Sequence, residues 1–367
     1  MLNFKKYPRI TKVVIPDNVQ LNNATNLFSN MRNLQSVYLP KHITIYNNTF
    51  CDCICLQQAI CGDNVTSMTN AYRDCTNLTT AVCGDNVTSM TSTYVDCKSL
   101  TAAVCGNNVT DMSSAYYGCT NLTTAVCGNN VMNMDYAYWN CTNLTTAVCG
   151  DNVTSMVSAY RDCANLTTAV CGNNVTNMYG AYMNCINLTT AVCGDNVTDM
   201  VSAYSGCTNL TTAVCGDNVT NMVSAYSRCT NLTTAVCGDN VTYMQNAYMN
   251  CINLTTAVCG DNVTNMANAY RGCTKIQGNA YIYSKYVQNF RNCFRNRDVS
   301  NMLNLYIQNN STSLTSARKT TPTASLTGTA ISWTDAISTM GCYYNTAYNI
   351  YIYPVSNVAD ARINNGD

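Results

Sequence analysis

The sequence predicts an α/β repeat solenoid, built from 22-residue rungs that each hold one short strand and one short helical segment. Three observations predict it. Cysteine recurs at 61, 83, 105 and onward to 259, always 22 residues apart, and a second cysteine series runs from 53 to 273 at the same spacing. Met68 to Met266 and Tyr72 to Tyr270 keep that period as well. Within each period an alternating β-branched stretch is joined to apolar residues at helical spacing. A fixed period of about 20 to 50 residues marks units that fold only by stacking on their neighbours.

The stretch CTNLTTAVCGDNVTSM stands at 75–90 and again at 141–156. In it LTTAVC (78–83) alternates, so a strand there points Ala81 and Cys83 inward and Thr80 and Val82 outward. Gly84-Asp85-Asn86 follows as a turn. Met68, Ala71, Tyr72 and Cys75 stand at i, i+3, i+4 and i+7, which is one apolar face of a two-turn helix. The inward set of a rung is then Leu78, Ala81, Cys83, Val87, Met90, Thr93 (Ala in most rungs), Tyr94 and Cys97. A lone unit offers too little apolar surface to offset the cost of ordering its backbone, whereas stacking adds shared burial and inter-rung hydrogen bonds. The tyrosines are expected to stack inside, opposite the Ala/Cys rows, and Asn64 through Asn262 to form a side-chain ladder. The whole is expected to run as one continuous solenoid, ~65 Å long at ~4.8 Å per rung.

The organisation along the chain follows from the register. Residues 1–60 read as degenerate N-terminal repeats that cap the array, 61–276 as the regular array, and 277–310 as a last irregular repeat. In that last repeat Val287, Phe290, Cys293 and Phe294 take the Val, Met, Ala and Tyr positions. Residues 311–367 lose the register and carry Trp333 with Tyr343, Tyr344, Tyr348, Tyr351 and Tyr353. So many aromatics fill a core or an interface, and this segment is expected to cap the array and to dock it.

Composition excludes several classes. Lys+Arg and Asp+Glu number 19 each, every acid is Asp, and one His is present. A net charge of zero argues against a nucleic-acid partner, and no apolar run reaches membrane-spanning length. The stock of His and Glu for acid–base catalysis is nearly empty, no nucleophile triad, P-loop or dinucleotide fingerprint appears, and His42 reads as an exposed turn residue. Neither catalysis nor a cofactor is expected.

The 25 cysteines lack C-x-x-C spacing and read as reduced, buried, small apolar groups, with Cys51 and Cys55 outside both series. Asp195, Asp217, Asp239 and Asp261 stack four carboxylates on successive rungs and could draw a cation; the plainer reading is a solvated turn edge. Surface variation is confined to pairs on the helical side: Arg73-Asp74, Tyr117-Gly118, Trp139-Asn140, Arg161-Asp162, Met183-Asn184 and Ser227-Arg228. Rows that repeat letter for letter offer every rung the same chemistry, so recognition of an irregular partner falls to Arg73, Tyr117, Trp139, Arg161 and Arg228.

The end repeats carry a resemblance. ITKVVIPDNVQLNNATNLFSNMRNL (10–34) and LQSVYLPKHITIYNNTFCDCICL (34–56) resemble the BspA-like leucine-rich repeat. Ile15-Pro16-Asp17-Asn18-Val19 aligns with Cys61-Gly62-Asp63-Asn64-Val65, and Phe28 and Phe50 occupy the tyrosine position. In the central array Gly replaces the family's Pro and Cys its Ile. The resemblance covers about residues 8–310 and implies a leucine-rich-repeat-like horseshoe or rod. The ending W-T…Y-Y-N-x-x-Y-N-I-Y-I-Y is similar to the closing segments of leucine-rich-repeat proteins of tailed phages. These resemblances imply a non-enzymatic virion protein of the tail, fibre or baseplate, assembled in the host cytoplasm. Its partners would be other virion proteins, like subunits, or a host cell-surface protein or glycan. The alternatives are a BspA-like adhesin on a bacterial surface and, from the regular Thr face alone, an ice- or crystal-binding solenoid.

Overall fold

The computed structural model describes residues 4, 7, 9–284, 287, 289–298, 300–308, 343–345 and 350–355, the last two segments and residues 307 and 308 by backbone alone. The chain divides into two units, Met1–Leu188 and Thr189–Asp367, both built on the same rung.

The inward set is as the periodicity demands. Val87, Met90, Tyr94, Cys97 and Leu100 are fully buried, as are their equivalents in rung after rung. The tyrosine rings form a column, with Tyr94–Tyr116, Tyr116–Tyr138 and Tyr138–Tyr160 centroids 5.3–5.5 Å apart and nearly parallel. That is a favourable stacking distance. Phe28 and Phe50 extend the column at one end of the first unit, and Phe294 stacks on Tyr270 in the second. Where Thr93 replaces Ala, its hydroxyl is buried and donates to the Met68 carbonyl at 2.9 Å, so the polar atom is satisfied.

The helical segment does not form. Among the described residues there is no α-helix, and none long and apolar enough to cross a membrane. In its place the backbone makes successive turns with two left-handed residues four apart, Asn70 at φ 52° and Asp74 at φ 61°. A right-handed helix cannot contain them. Alternate N–H groups instead reach the next rung: Met68, Asn70, Tyr72 and Asp74 donate to the carbonyls of Ser89, Thr91, Thr93 and Val95 at 2.8–3.1 Å. Between these, the Ala71 and Cys75 amides close turns onto Met68 and Tyr72. The i, i+3, i+4, i+7 residues still share the buried face, because two turns in tandem repeat the same spacing.

The strand is also shorter than LTTAVC. Through most of the array it shrinks to a single parallel bridge per rung, as in Thr124↔Thr146 and Thr146↔Thr168 of the first unit and Thr190↔Thr212 of the second. Thr80 is exposed and Ala103, Ala125 and Ala147 buried, so the predicted facing holds. What removes the rest of the ladder is tyrosine. The Tyr94 hydroxyl donates to the Val82 carbonyl at 2.5 Å while accepting from the Val82 amide at 2.9 Å. Val82 therefore spends both backbone groups on the core side rather than on its neighbours. Tyr116 does the same to Val104, and Tyr226 to Val214.

Longer strands appear at the Phe28, Phe50 and Phe294 rungs, whose aromatic has no hydroxyl. A two-residue strand still forms at Val258–Cys259, although Tyr270 holds both backbone groups of Val258. β1 (Lys12–Val14) and β2 (Ser36–Tyr38) pair in parallel beside Phe28 and Phe50. In the second unit β3 (Val258–Cys259), β4 (Gly278–Ile282), β5 (Leu303–Gln308) and β7 (Ile350–Val355) pair in parallel in that order. β6 (Tyr343–Asn345) then lies antiparallel on β7. The five-stranded order is β3-β4-β5-β7-β6, so the backbone of 343–345 and 350–355 extends the end of this sheet.

Two smaller expectations are corrected. The Asn64–Asn262 series does not bond side chain to side chain; Asn86 and Asn108 donate instead to the carbonyls of Asp63 and Asp85 on the preceding rung. An asparagine ladder does form elsewhere, from Asn143 to Asn121 and from Asn165 to Asn143. His42 is half-buried, and its Nε2 accepts the Leu21 amide at 3.2 Å.

Candidate recognition surface

On the turn side of the first unit, side chains at 117, 139, 161 and 183 come from successive rungs at one position. Each lies between an inward tyrosine and a left-handed residue, so the backbone turns it outward. From 73 to 271 this position holds Arg, Val, Tyr, Trp, Arg, Met, Ser, Ser, Met and Arg, so its two rings, Tyr117 and Trp139, fall on adjacent rungs.

Trp139 meets Tyr117 edge-on at 5.3 Å and stacks on Tyr136 at 5.6 Å. The Arg161 guanidinium carbon lies 4.6 Å from the Trp139 ring centroid, a cation–π contact. The indole Nε1 donates to Asp162 Oδ2 at 2.8 Å. Asn184 donates to the other oxygen, Oδ1, at 2.8 Å, and Arg161 Nε pairs with Asp162 Oδ2 at 3.5 Å. Asp162 thus ties together side chains from three rungs. Arg161 Nε is buried without a hydrogen bond, while about a third of each of the Arg161 and Asp162 side chains remains exposed. Tyr136 is 38% exposed, and nearby positions of the array add Met132 and Tyr179 as exposed apolar groups.

Tyr136 has φ 59°. A bulky side chain in the left-handed region is an outlier; the same position elsewhere holds Asn70, Ser92, Ser114, Ser158 or Gly180, residues small or polar enough to be at home there. This rung therefore carries local backbone strain together with an exposed ring.

The structure therefore brings Tyr117, Trp139 and Arg161 into one cluster. The other sequence candidates lie apart. Arg73 is exposed and pairs with its partly buried neighbour Asp74 at 3.3 Å. Arg228, in the second unit, is exposed at φ 64°. Asp195, Asp217 and Asp239 sit on the exposed turn, their backbone carbonyls accepting Asn218, Asn240 and Asn262, with Asp261 exposed likewise. These four carboxylates do not gather into a site. Among the described residues, the one group of three candidate ligands within 4.8 Å is Cys51, Asp52 and Asp74. Trp333 and Tyr348 lie outside the described residues. Tyr343 and Tyr344 belong to β6, and Tyr351 and Tyr353 to β7, by backbone alone.

Sequence reasoning missed Tyr136, and it named Asp162 and Asn184 only as second members of variable pairs. The variable pairs also divide in a way it did not foresee. Their second members, Asp74, Gly118, Asn140, Asp162 and Asn184, all have positive φ, so Asp, Asn or Gly there answers the backbone before any partner. The signal for Tyr136 was present as an aromatic in a column of Asn, Ser and Gly.

A family model of the BspA type leucine-rich repeat region matches residues 3–114, 91–211, 158–277 and 200–318. The chain belongs to the BspA-type leucine-rich-repeat family. Among solved structures it is similar to a leucine-rich repeat protein from Bacteroides ovatus ATCC 8483, with 18% identity over 74% of this chain and 78% of that one, at a TM-score of 0.60. It is also similar to a leucine-rich repeat protein from Eubacterium ventriosum ATCC 27560 (17% identity, 78% and 82% covered, TM-score 0.46). A leucine rich cell surface protein from Faecalibacterium prausnitzii A2-165 is a third (18%, 74% and 87%, TM-score 0.39). No curated protein matches the sequence significantly. At these identities the shared feature is the leucine-rich-repeat fold. In this BspA-type array the departures at Cys and Gly meet: a Cβ on Gly84 would lie 2.9 Å from Cys61 Sγ and 3.3 Å from the Gly62 carbonyl of the rung before, so glycine leaves room for the cysteine column and its backbone.

Proposed function

We propose that this BspA-type chain is a non-enzymatic recognition scaffold whose contact surface is the edge centred on Trp139, Arg161 and Tyr136. One observation carries the reading: a strained tyrosine stacks on an indole, and one carboxylate ties that indole to a guanidinium and an amide, drawing on three rungs. Rings and a half-exposed cation that are already ordered lose little freedom on binding, which is how aromatic and Arg residues come to dominate interfaces. The cluster offers stacking, hydrogen bonds and one cation, the chemistry of recognition rather than of proton transfer.

Its setting, in this proposal, is a phage virion, in the tail, fibre or baseplate, with neighbouring virion proteins, like subunits or a host surface protein or glycan as partner. The similarity of the Trp333–Tyr353 ending to tailed-phage proteins supports that setting. Two measurements test the reading. Labelled protein is expected to bind host cells or virion proteins, and Trp139→Ala to weaken that binding at least tenfold, about 1.4 kcal/mol, with the fold intact. Immunogold labelling is expected on tails of purified particles; labelling of a bacterial envelope instead replaces the virion by the adhesin setting.

A further inference from the structure

The two cysteine columns have different surroundings. In the column from 53 to 273 each thiol is fully buried and donates to a backbone carbonyl: Cys119 to Tyr94 at 3.0 Å, Cys141 to Tyr116 at 3.1 Å, Cys163 to Tyr138 at 3.1 Å. Those sulfurs are committed to the fold. In the column from 61 to 259 the sulfur makes a longer contact to the next Gly carbonyl, 3.6 Å for Cys105, Cys127 and Cys149, and in most rungs it also faces a thioether seven residues on. Cys105 Sγ lies 3.5 Å from Met112 Sδ, Cys127 3.5 Å from Met134, Cys149 3.5 Å from Met156 and Cys171 3.7 Å from Met178. In the second unit Cys193–Met200 and Cys215–Met222 repeat the pair at 3.8 and 3.7 Å. The methionines are fully buried, while Cys105 and Cys127 keep part of their surface exposed beside the Gly turn. The Gly238 amide lies 3.3 Å from the Cys215 sulfur of the rung before, a backbone donor aimed at the sulfur.

We propose that this Cys–Met column binds monovalent copper, each ion held by one thiolate and the thioether of the same rung, with the cysteine of an adjacent rung as a third ligand. Four arguments converge. Thiolate and thioether are soft ligands, and a set with both and no imidazole or carboxylate selects Cu(I) over zinc, magnesium or calcium. The spacing is close: two sulfurs at ~2.3 Å from one ion, at the ~120° angle of a three-ligand site, stand ~4.0 Å apart, a few tenths of an ångström beyond the observed pairs. The next cysteine sulfur is about one rung away, ~4.8 Å, within reach of a small side-chain rotation. Charge also balances. One thiolate neutralises one monovalent ion, whereas a divalent ion in a single rung would leave a net charge half-buried.

Binding exchanges the thiol proton for the metal: the S–H bond breaks, the sulfur keeps the electron pair and donates it to Cu(I), and one proton leaves for solvent per cysteine bound. No electron is transferred. Burial pushes the Cys127 thiol up and the Cys105 and Cys149 thiols up to about 12, so affinity is expected to rise with pH. The inference is independent of the surface around Trp139.

The test uses the full chain, reduced and anaerobic, titrated with Cu(I) against a chromophoric Cu(I) chelator. Any thiol-rich protein takes up some copper, so the decisive readout is the thioether. In selenomethionine-labelled protein, copper X-ray absorption is expected to show a copper–selenium shell; a sulfur-only shell overturns the proposal. Replacing Met134 and Met156 by Leu, a swap that conserves core volume, is expected to remove about two equivalents of bound copper, one per thioether lost. Cys141→Ser, in the other column, is expected to remove none. Unchanged stoichiometry in the Leu variant, or an equal loss in Cys141→Ser, also overturns it.

Discussion

The Tyr94 hydroxyl holds both backbone groups of Val82, twelve residues earlier, giving a proton to its carbonyl and taking one from its amide. One side-chain atom thus replaces two ladder bonds on the strand and pins the wall of the rung to its aromatic column.

Removing that atom exposes the trade. Tyr94→Phe leaves a carbonyl and an amide without their partner in a half-buried wall, at a cost of about 1–3 kcal/mol. The Val82 amide is expected to exchange with deuterium faster, and urea unfolding to shift to lower concentration. A variant as stable as the parent, with a protected Val82 amide, would show that the strand can recover its ladder, as the Phe50 rung does beside β2.

Left-handed positions give a second prediction, of opposite sign. Arg228 at φ 64° and Tyr136 at φ 59° occupy positions that elsewhere hold Asn, Asp, Ser or Gly. Arg228→Asn and Tyr136→Asn are each expected to raise stability by about 1 kcal/mol, the approximate cost of a left-handed conformation for an ordinary residue. Chemical denaturation measures it. Only Tyr136→Asn is expected to weaken partner binding as well, which separates strain kept for recognition from strain without that role.

The thiols set a pH limit. Burial pushes Cys61 and Cys215 up to about 11 and Cys105, Cys149 and Cys237 up to about 12, from an ordinary 9.0. Above pH 9.0 the unfolded chain sheds protons that the folded chain retains, so stability falls as pH rises from there to about 12 and is level below it. Unfolding midpoints across this range test it, and a level profile up to pH 11 would contradict it. At neutral pH, alkylation of the folded protein is expected to spare the 53–273 column, and denaturation without reductant to expose it.

The period, most of the inward residues and the facing of Thr124 against Ala125 were legible because burial writes itself into the repeat. The conformation between Met68 and Cys75 was not. An i, i+3, i+4, i+7 pattern fits a helix and a pair of tandem turns equally well, and the feature that separates them is Asn70 and Asp74, whose side chains tolerate a left-handed backbone. The strand was overread because LTTAVC has strand propensity but Tyr94, twelve residues on, competes for its backbone. At the recognition surface Trp139 and Arg161 stood out as irregular letters in a regular text. Asp162 did not, since it also satisfies the turn, and its second role depends on two side chains from neighbouring rungs.

The bonds of a rung have a further consequence for the gene. Most partners lie about one repeat away: Asn70 N with Thr91 O, Thr88 Oγ1 with Thr66 O, Cys97 Sγ with Tyr72 O. Excising or duplicating 22 codons between equivalent positions re-creates these partnerships with new members, so the array can change length by unequal recombination while each seam stays chemically the same. The group around Trp139 has no such freedom. Its rings, cation and carboxylate come from adjacent rungs in a fixed order, and a crossover within residues 117–184 would part them.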